Sequence, residues 1–91
     1  MENDYDITKA DITLKSRTTG NIYYLFSDRI VIKGECDGII RLPGQNEILC
    51  FADMYYELGE LHVFAPTTKS YDVVYALDEN DLTIIQKGYR K

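Results

Sequence analysis

Glu47-Ile48-Leu49-Cys50-Phe51-Ala52-Asp53-Met54-Tyr55-Tyr56-Glu57-Leu58 is the stretch on which the fold turns, because it fits two templates at once. Read as a helix, it is capped by Asn46 and stopped by Gly59, and Ile48, Phe51, Tyr55 and Leu58 share one face. Its Glu, Leu, Ala and Met favour that state. Read as strands, residues 48–52 pair back on residues 39–42 across Pro43-Gly44, and a second bend follows from Asp53. The neighbours decide. Every flanking segment has the character of a short strand, and the spacing from Leu42 to Glu47 is that of a hairpin. Strands are therefore expected over residues 47–58, with an α+β fold carrying one helix there as the alternative.

Upstream, Ile12-Thr13-Leu14-Lys15 alternates apolar and polar, the period of a half-buried strand. Thr18-Thr19-Gly20-Asn21 breaks the chain, and Ile22-Tyr23-Tyr24-Leu25-Phe26 resumes it with β-favouring residues. Arg29-Ile30-Val31-Ile32-Lys33 and Ile39-Ile40-Arg41-Leu42 follow, separated by the loop Gly34-Glu35-Cys36-Asp37-Gly38. Pro43 then stops the ladder, since it has no N–H to donate. Downstream, residues 71–77 and 82–87 flank the polar loop Asp78-Glu79-Asn80-Asp81, a further hairpin. Ile39-Ile40, Ile48-Leu49, Val73-Val74 and Ile84-Ile85 are adjacent apolar pairs, which imply bulges or strands covered on both sides. The expected fold is mainly β: a small barrel or sandwich of short antiparallel strands and hairpins. The segment Val74-Tyr75-Ala76-Leu77-Asp78-Glu79-Asn80-Asp81-Leu82-Thr83-Ile84-Ile85-Gln86 resembles the final hairpin of a quinoprotein-type propeller blade. Asp81 stands where that pattern has a turn Gly, and the chain has no Trp. A propeller also needs about four blades or more, so no family is inferred.

Ninety-one residues make a single domain, with residues 1–11 expected as a flexible acidic N-terminal segment. The apolar runs are short against the roughly 20 residues of a membrane-spanning helix. Met1-Glu2-Asn3-Asp4-Tyr5-Asp6 is acidic where a secretory signal is basic and then apolar, so a cytoplasmic protein is expected. Cys36 and Cys50 lack the close Cys pairs of zinc sites, and they are expected as free thiols, Cys50 as a small buried hydrophobe.

Catalytic signatures are sparse. His62 is the single histidine, placed by alternation on the face of Glu60 and Phe64, and is expected to be an ordinary strand residue. There is no glycine-rich phosphate loop and no calcium-type Asp loop, so no cofactor or metal is expected. The net charge of −5 repels phosphates, which makes nucleic acid an unlikely partner. The charge is uneven, however. Residues 12–34 carry +3 and residues 35–60 carry −5. Either these blocks form a basic and an acidic side suited to head-to-tail contacts, or they interleave in space and cancel.

Tyrosine remains. Tyr23-Tyr24 and Tyr55-Tyr56 are adjacent pairs, so on strands each pair puts one ring on each face. Exposed Tyr offers large contact area at low entropic cost. Tyr55, Tyr56, Glu57 and Glu60, with Tyr23 and Tyr24, are therefore the candidate binding residues. The expected function is a non-catalytic protein-binding module, an inhibitor or immunity-type protein capping a basic surface of a partner being the special case. A structural subunit that assembles with its own copies through sheet edges is the alternative, and a small enzyme using carboxylates a third.

Overall fold

Alternation along each strand sorts the apolar residues to one side, and the two sheets are built from that sorting. A computed structural model describes residues 6–44 and 47–90. Strands β1 (Ile12–Lys15), β2 (Ile22–Leu25), β3 (Arg29–Lys33) and β4 (Gly38–Arg41) form an antiparallel meander in that order. Tyr23, Leu25, Ile30, Ile32 and Ile40 point inward from it and are buried. Strands β5 (Asp53–Glu57), β6 (Glu60–Pro66), β7 (Asp72–Asp78) and β8 (Thr83–Arg90) form a second meander. Its inward set is Met54, Leu61, Val63, Ala65, Val73, Tyr75 and Leu77. The two inward sets merge in one apolar cluster, so the sheets pack face to face as a sandwich about one core. The mainly-β expectation holds.

The crossover between the sheets corrects the reading of residues 47–58. Residues 48–52 do not pair with β4, and no helix forms there. Ile48 makes a single bridge to Thr67, Phe51 N–H donates to the Ser27 carbonyl at 2.8 Å, and Ala52 N–H to the Phe64 carbonyl at 2.8 Å. From this run Phe51 is buried in the core and Ile48 packs against it, while Leu49 is 58% exposed, and the strand begins only at Asp53. Cys50, expected to be buried, is half-buried there because its segment lies across the end of the sandwich rather than within a sheet. Both thiols are free, with Cys36 exposed.

Of the expected flexible segment, residues 1–5 lie outside the described residues. Ile7–Lys9 form one 3-10 turn, begun by Asp6, whose carboxylate accepts from Thr8 N–H at 3.0 Å. The expected loop Pro43-Gly44-Gln45-Asn46 lies partly outside the described residues as well.

Two turns constrain the chain. Gly34 has φ 137°, and a Cβ there would stand 2.6 Å from the Gly20 carbonyl oxygen, so only glycine fits. The β5–β6 turn is Leu58-Gly59, with φ 52° and 80°. Positive φ at both central residues is the mark of a type I′ hairpin, which matches strand twist but suits Asn-Gly better than Leu-Gly.

Candidate functional site

Register assembles the outer face of β5–β8 row by row. Tyr55, His62, Ala76 and Ile85 are successive cross-strand partners, and Asp53, Phe64, Val74 and Gly88 form the next row. The result is an aromatic and aliphatic surface, with Ile85 62% exposed. Glu57 lies directly opposite Glu60 beside the β5–β6 turn, a like-charge pair that costs stability by itself. His62 offsets it. Its Nε2–H donates to Glu60 Oε1 at 2.7 Å, and its Nδ1 lies 3.6 Å from Glu57 Oε1. Lys87 approaches Glu60 at 3.9 Å. The His62 hydrogen bond, followed by the Lys87 charge, outweighs desolvation and lowers the Glu60 carboxyl below its ordinary value. Tyr55 tilts onto the imidazole at 5.9 Å between ring centroids. At the tip, Leu58 is wholly exposed.

A second cluster lies at the same end of the molecule, between the sheets. Glu79 Oε1 accepts hydrogen bonds from the hydroxyls of Ser16 (2.7 Å), Tyr23 (2.9 Å) and Tyr56 (3.0 Å). Burial raises the Glu79 carboxyl, but these hydroxyls and that of Thr18 outweigh it and hold the group below its usual range. Burial, then the Glu79 carboxylate, pushes the Tyr23 hydroxyl far above the usual tyrosine range. Arg17 N–H donates to Tyr56 Oη at 2.9 Å, and the Arg17 guanidinium sits 4.5 Å above the Tyr56 ring. Ser16 Oγ also accepts from Thr18 N–H and Thr19 N–H. An open cleft of about 340 Å³ borders the cluster, lined in part by Thr18, Gly59, Glu60, Glu79 and Asn80. A carboxylate with three hydroxyls on one oxygen and held below its usual range is a poor proton acceptor, and Ser16, which donates to it and accepts from two backbone N–H groups, is a poor nucleophile. The cluster ties the β1–β2 and β7–β8 turns to β5. Among the described residues, no three His, Cys, Asp or Glu side chains gather to hold a metal ion.

The expected binding residues are thereby divided. Tyr55, Glu57 and Glu60 come together on the outer face. Tyr56 turns inward to Glu79. Tyr23 has no exposed surface and leaves the list of contact residues, because inward alternation on β2 puts its ring in the core. Tyr24, half-exposed, faces outward on the other sheet between Thr13 and Val31. His62, Leu58 and Ile85 join the site. Alternation had already placed His62 beside Glu60, whereas Ile85 enters only through the β7–β8 register. The blocks 12–34 and 35–60 do not map one to one onto the sheets: Arg41 of the second lies on β4 and Glu35 and Asp37 in the β3–β4 loop, while Asp53, Glu57 and Glu60 lie on β5 and β6. The outward strand positions of β1–β4 hold Lys15, Arg29, Lys33 and Arg41 and no carboxylate. Those of β5–β8 hold Asp53, Glu57, Glu60, Asp72 and Asp78, with Arg90 opposite Asp72 and Lys87 beside Glu60.

No helix among the described residues is long and apolar enough to cross a membrane. The chain matches no protein-family model, and no curated protein or solved structure is significantly similar to it.

Proposed function

We propose that the protein is a non-catalytic binding module that docks the outer face of β5–β8 on a basic surface of a protein partner. The observation that carries this reading is Leu58. A bulky residue in the left-handed region is strained by about 1–2 kcal/mol, and a fully exposed side chain returns nothing in packing. Such a residue between two apposed glutamates is costly to the free molecule and useful to a bound one. Tyr55, Phe64 and Ile85 supply the apolar contact, and Glu57 and Glu60 steer a cationic partner to it. Capping a basic active site, as an inhibitor or immunity-type protein would, is the special case in which these carboxylates stand in for phosphates. The two free thiols suit a reducing compartment, which supports a cytoplasmic location.

Assembly through sheet edges is less well supported. β8, the longest edge strand, carries a bulge, since Val74 pairs with Gly88 and Tyr75 with Gln86, leaving Lys87 extra. A bulge and a lysine are the usual means of blunting an edge. The carboxylate-enzyme reading loses support from the saturation of Glu79.

The test is a titration with an arginine- and leucine-rich peptide followed by amide NMR. Shifts should map to Tyr55, Glu57, Leu58, Glu60, His62 and Ile85, and Glu57→Gln with Glu60→Gln should slow association. Shifts spread evenly over all the carboxylates, or absent from this face, would sink the proposal.

A further inference from the structure

The acidic face has a counterpart on the same molecule. On the outer face of β1–β4, Lys15 and Lys33 flank Ile22 in one cross-strand row, and Arg29 pairs with Arg41 in the row at the far end. Between them lies an uncharged row, Thr13, Tyr24, Val31 and Ile39, with Ile39 47% exposed. The face of β5–β8 carries the opposite sign at one end. Glu57, Glu60 and Asp78 mark that end, with Lys87 3.9 Å from Glu60; Tyr55, His62 and Ile85 lie in the next row, Asp53 shares a row with Phe64, and Asp72 at the far end lies opposite Arg90, so the match is confined to the Glu57–Glu60 end. Asp28 holds Arg29, at 2.6 Å from its Nη2. Lys15, Lys33 and Arg41 form no ion pair among the described residues.

We propose that the partner of the acidic face is a second copy of this chain, which presents the basic outer face of its own β1–β4. The inference rests on the docking role of the β5–β8 face argued above and names its occupant. Sheets stack face to face about 10 Å apart with strands roughly 30° from parallel. The apolar rows then meet, and the Lys15–Lys33 end of one copy meets the Glu57–Glu60 end of the next. The net charge of −5 opposes the approach of two copies at a distance, but that repulsion is screened beyond about 8 Å at physiological salt. The contact is heterologous: each copy uses one face as donor and the other as acceptor. Two copies therefore leave a face free at each end, and the assembly grows as a stack unless rotation closes it into a ring.

Charge reversal separates this arrangement from any other mode of association. Sedimentation velocity of the intact chain up to about 1 mM, where contacts of that Kd are visible, should show concentration-dependent species larger than a monomer. Lys15→Glu with Lys33→Glu destroys the basic face, and Glu57→Lys with Glu60→Lys destroys the acidic one. Each double variant alone should be monomeric. Mixing the two should restore association, because the first retains the acidic face and the second the basic one. Circular dichroism checks folding. If the lysine pair unfolds the β5–β6 hairpin, Glu57→Gln with Glu60→Gln replaces it, with association weakened about tenfold or more. An intact chain that stays monomeric throughout overturns the proposal, as does a mixture that fails to associate or a pair of variants that associate like the parent. If the chain is monomeric yet the basic peptide still maps to β5–β8, only the identity of the partner falls. If the peptide also fails to bind, the docking face falls with it.

Discussion

Leu58→Asn replaces a strained, exposed residue by the one the turn prefers. The substitution gives the Asn-Gly dipeptide that two-residue hairpins with positive φ at both positions select. Leu58 has φ 52° and is 100% exposed, so no packing is lost with its side chain. The gain is the relief of left-handed strain, of which Asn recovers about 1 kcal/mol. For a domain of this size that shifts Tm upward by roughly 4–8 °C. Thermal melts by circular dichroism should show the rise, with a parallel increase in the urea midpoint and no change in slope. The same variant should bind the basic peptide more weakly, and a gain in stability paired with a loss in binding is what a residue kept for contact yields. An unchanged or lowered Tm would refute the reasoning, since it would mean that the turn carries no strain or that Leu58 is packed against something.

Four further outcomes follow from the structure. Glu79→Ala leaves the Ser16, Tyr23 and Tyr56 hydroxyls without their acceptor and should cost about 2–3 kcal/mol in urea unfolding. Because the folded Glu79 carboxyl lies below its ordinary value of 4.5, the unfolded chain takes up the proton first on acidification. The stability it contributes is present above pH 4.5 and is lost as pH falls through the folded value, so urea midpoints in that range should fall more steeply for the parent than for Glu79→Gln. Tyr55→Ala should leave Tm nearly unchanged while weakening docking by about 2 kcal/mol or more; Tyr56→Ala, which removes a ring from between Arg17 and Glu79, should lower Tm instead. Titration of the denatured chain without reductant should find two thiols, and Cys50→Ser should destabilise more than Cys36→Ser, which lies on the surface and should stay within about 0.5 kcal/mol.

β1 and β3 are legible in the sequence residue for residue, because alternation and bracketing turns state them without help from distant parts of the chain. β5 is not. Its inward residues are Met54 and Tyr56 and its outward ones Asp53, Tyr55 and Glu57. A tyrosine on each side blurs the period of two, while the strongly apolar residues 48–52 next to it imitate a strand. Of that run only Phe51 is buried, while Leu49 is 58% exposed, so its apolar character reports neither ladder pairing nor uniform burial. Within the site, the neighbouring pair Glu57 and Glu60 could be read locally, since a two-residue turn makes them partners. Glu79 could not. Its hydroxyl partners lie 63, 56 and 23 residues away, and an acid in a polar loop looks like any solvated turn residue.

Among the described residues, every hydrogen-bonded pair of strands is also a pair of neighbours along the chain, from β1-β2 through β3-β4 and from β5-β6 through β7-β8. Sandwiches commonly bring strands together across long loops, and their folding is slow because the entropy of loop closure precedes the reward of contact. Here each hairpin zips onto the one before it, and the distant step is reduced to a single docking of two preformed meanders. From this connectivity we expect local ladders to form first and the two inner faces to be buried together afterwards, with the Glu79 hydroxyl cluster, which draws on both halves, completed after that. Such a chain should fold faster than an interleaved sandwich of equal size, and its refolding should respond to mutations inside a meander more than to mutations at the junction.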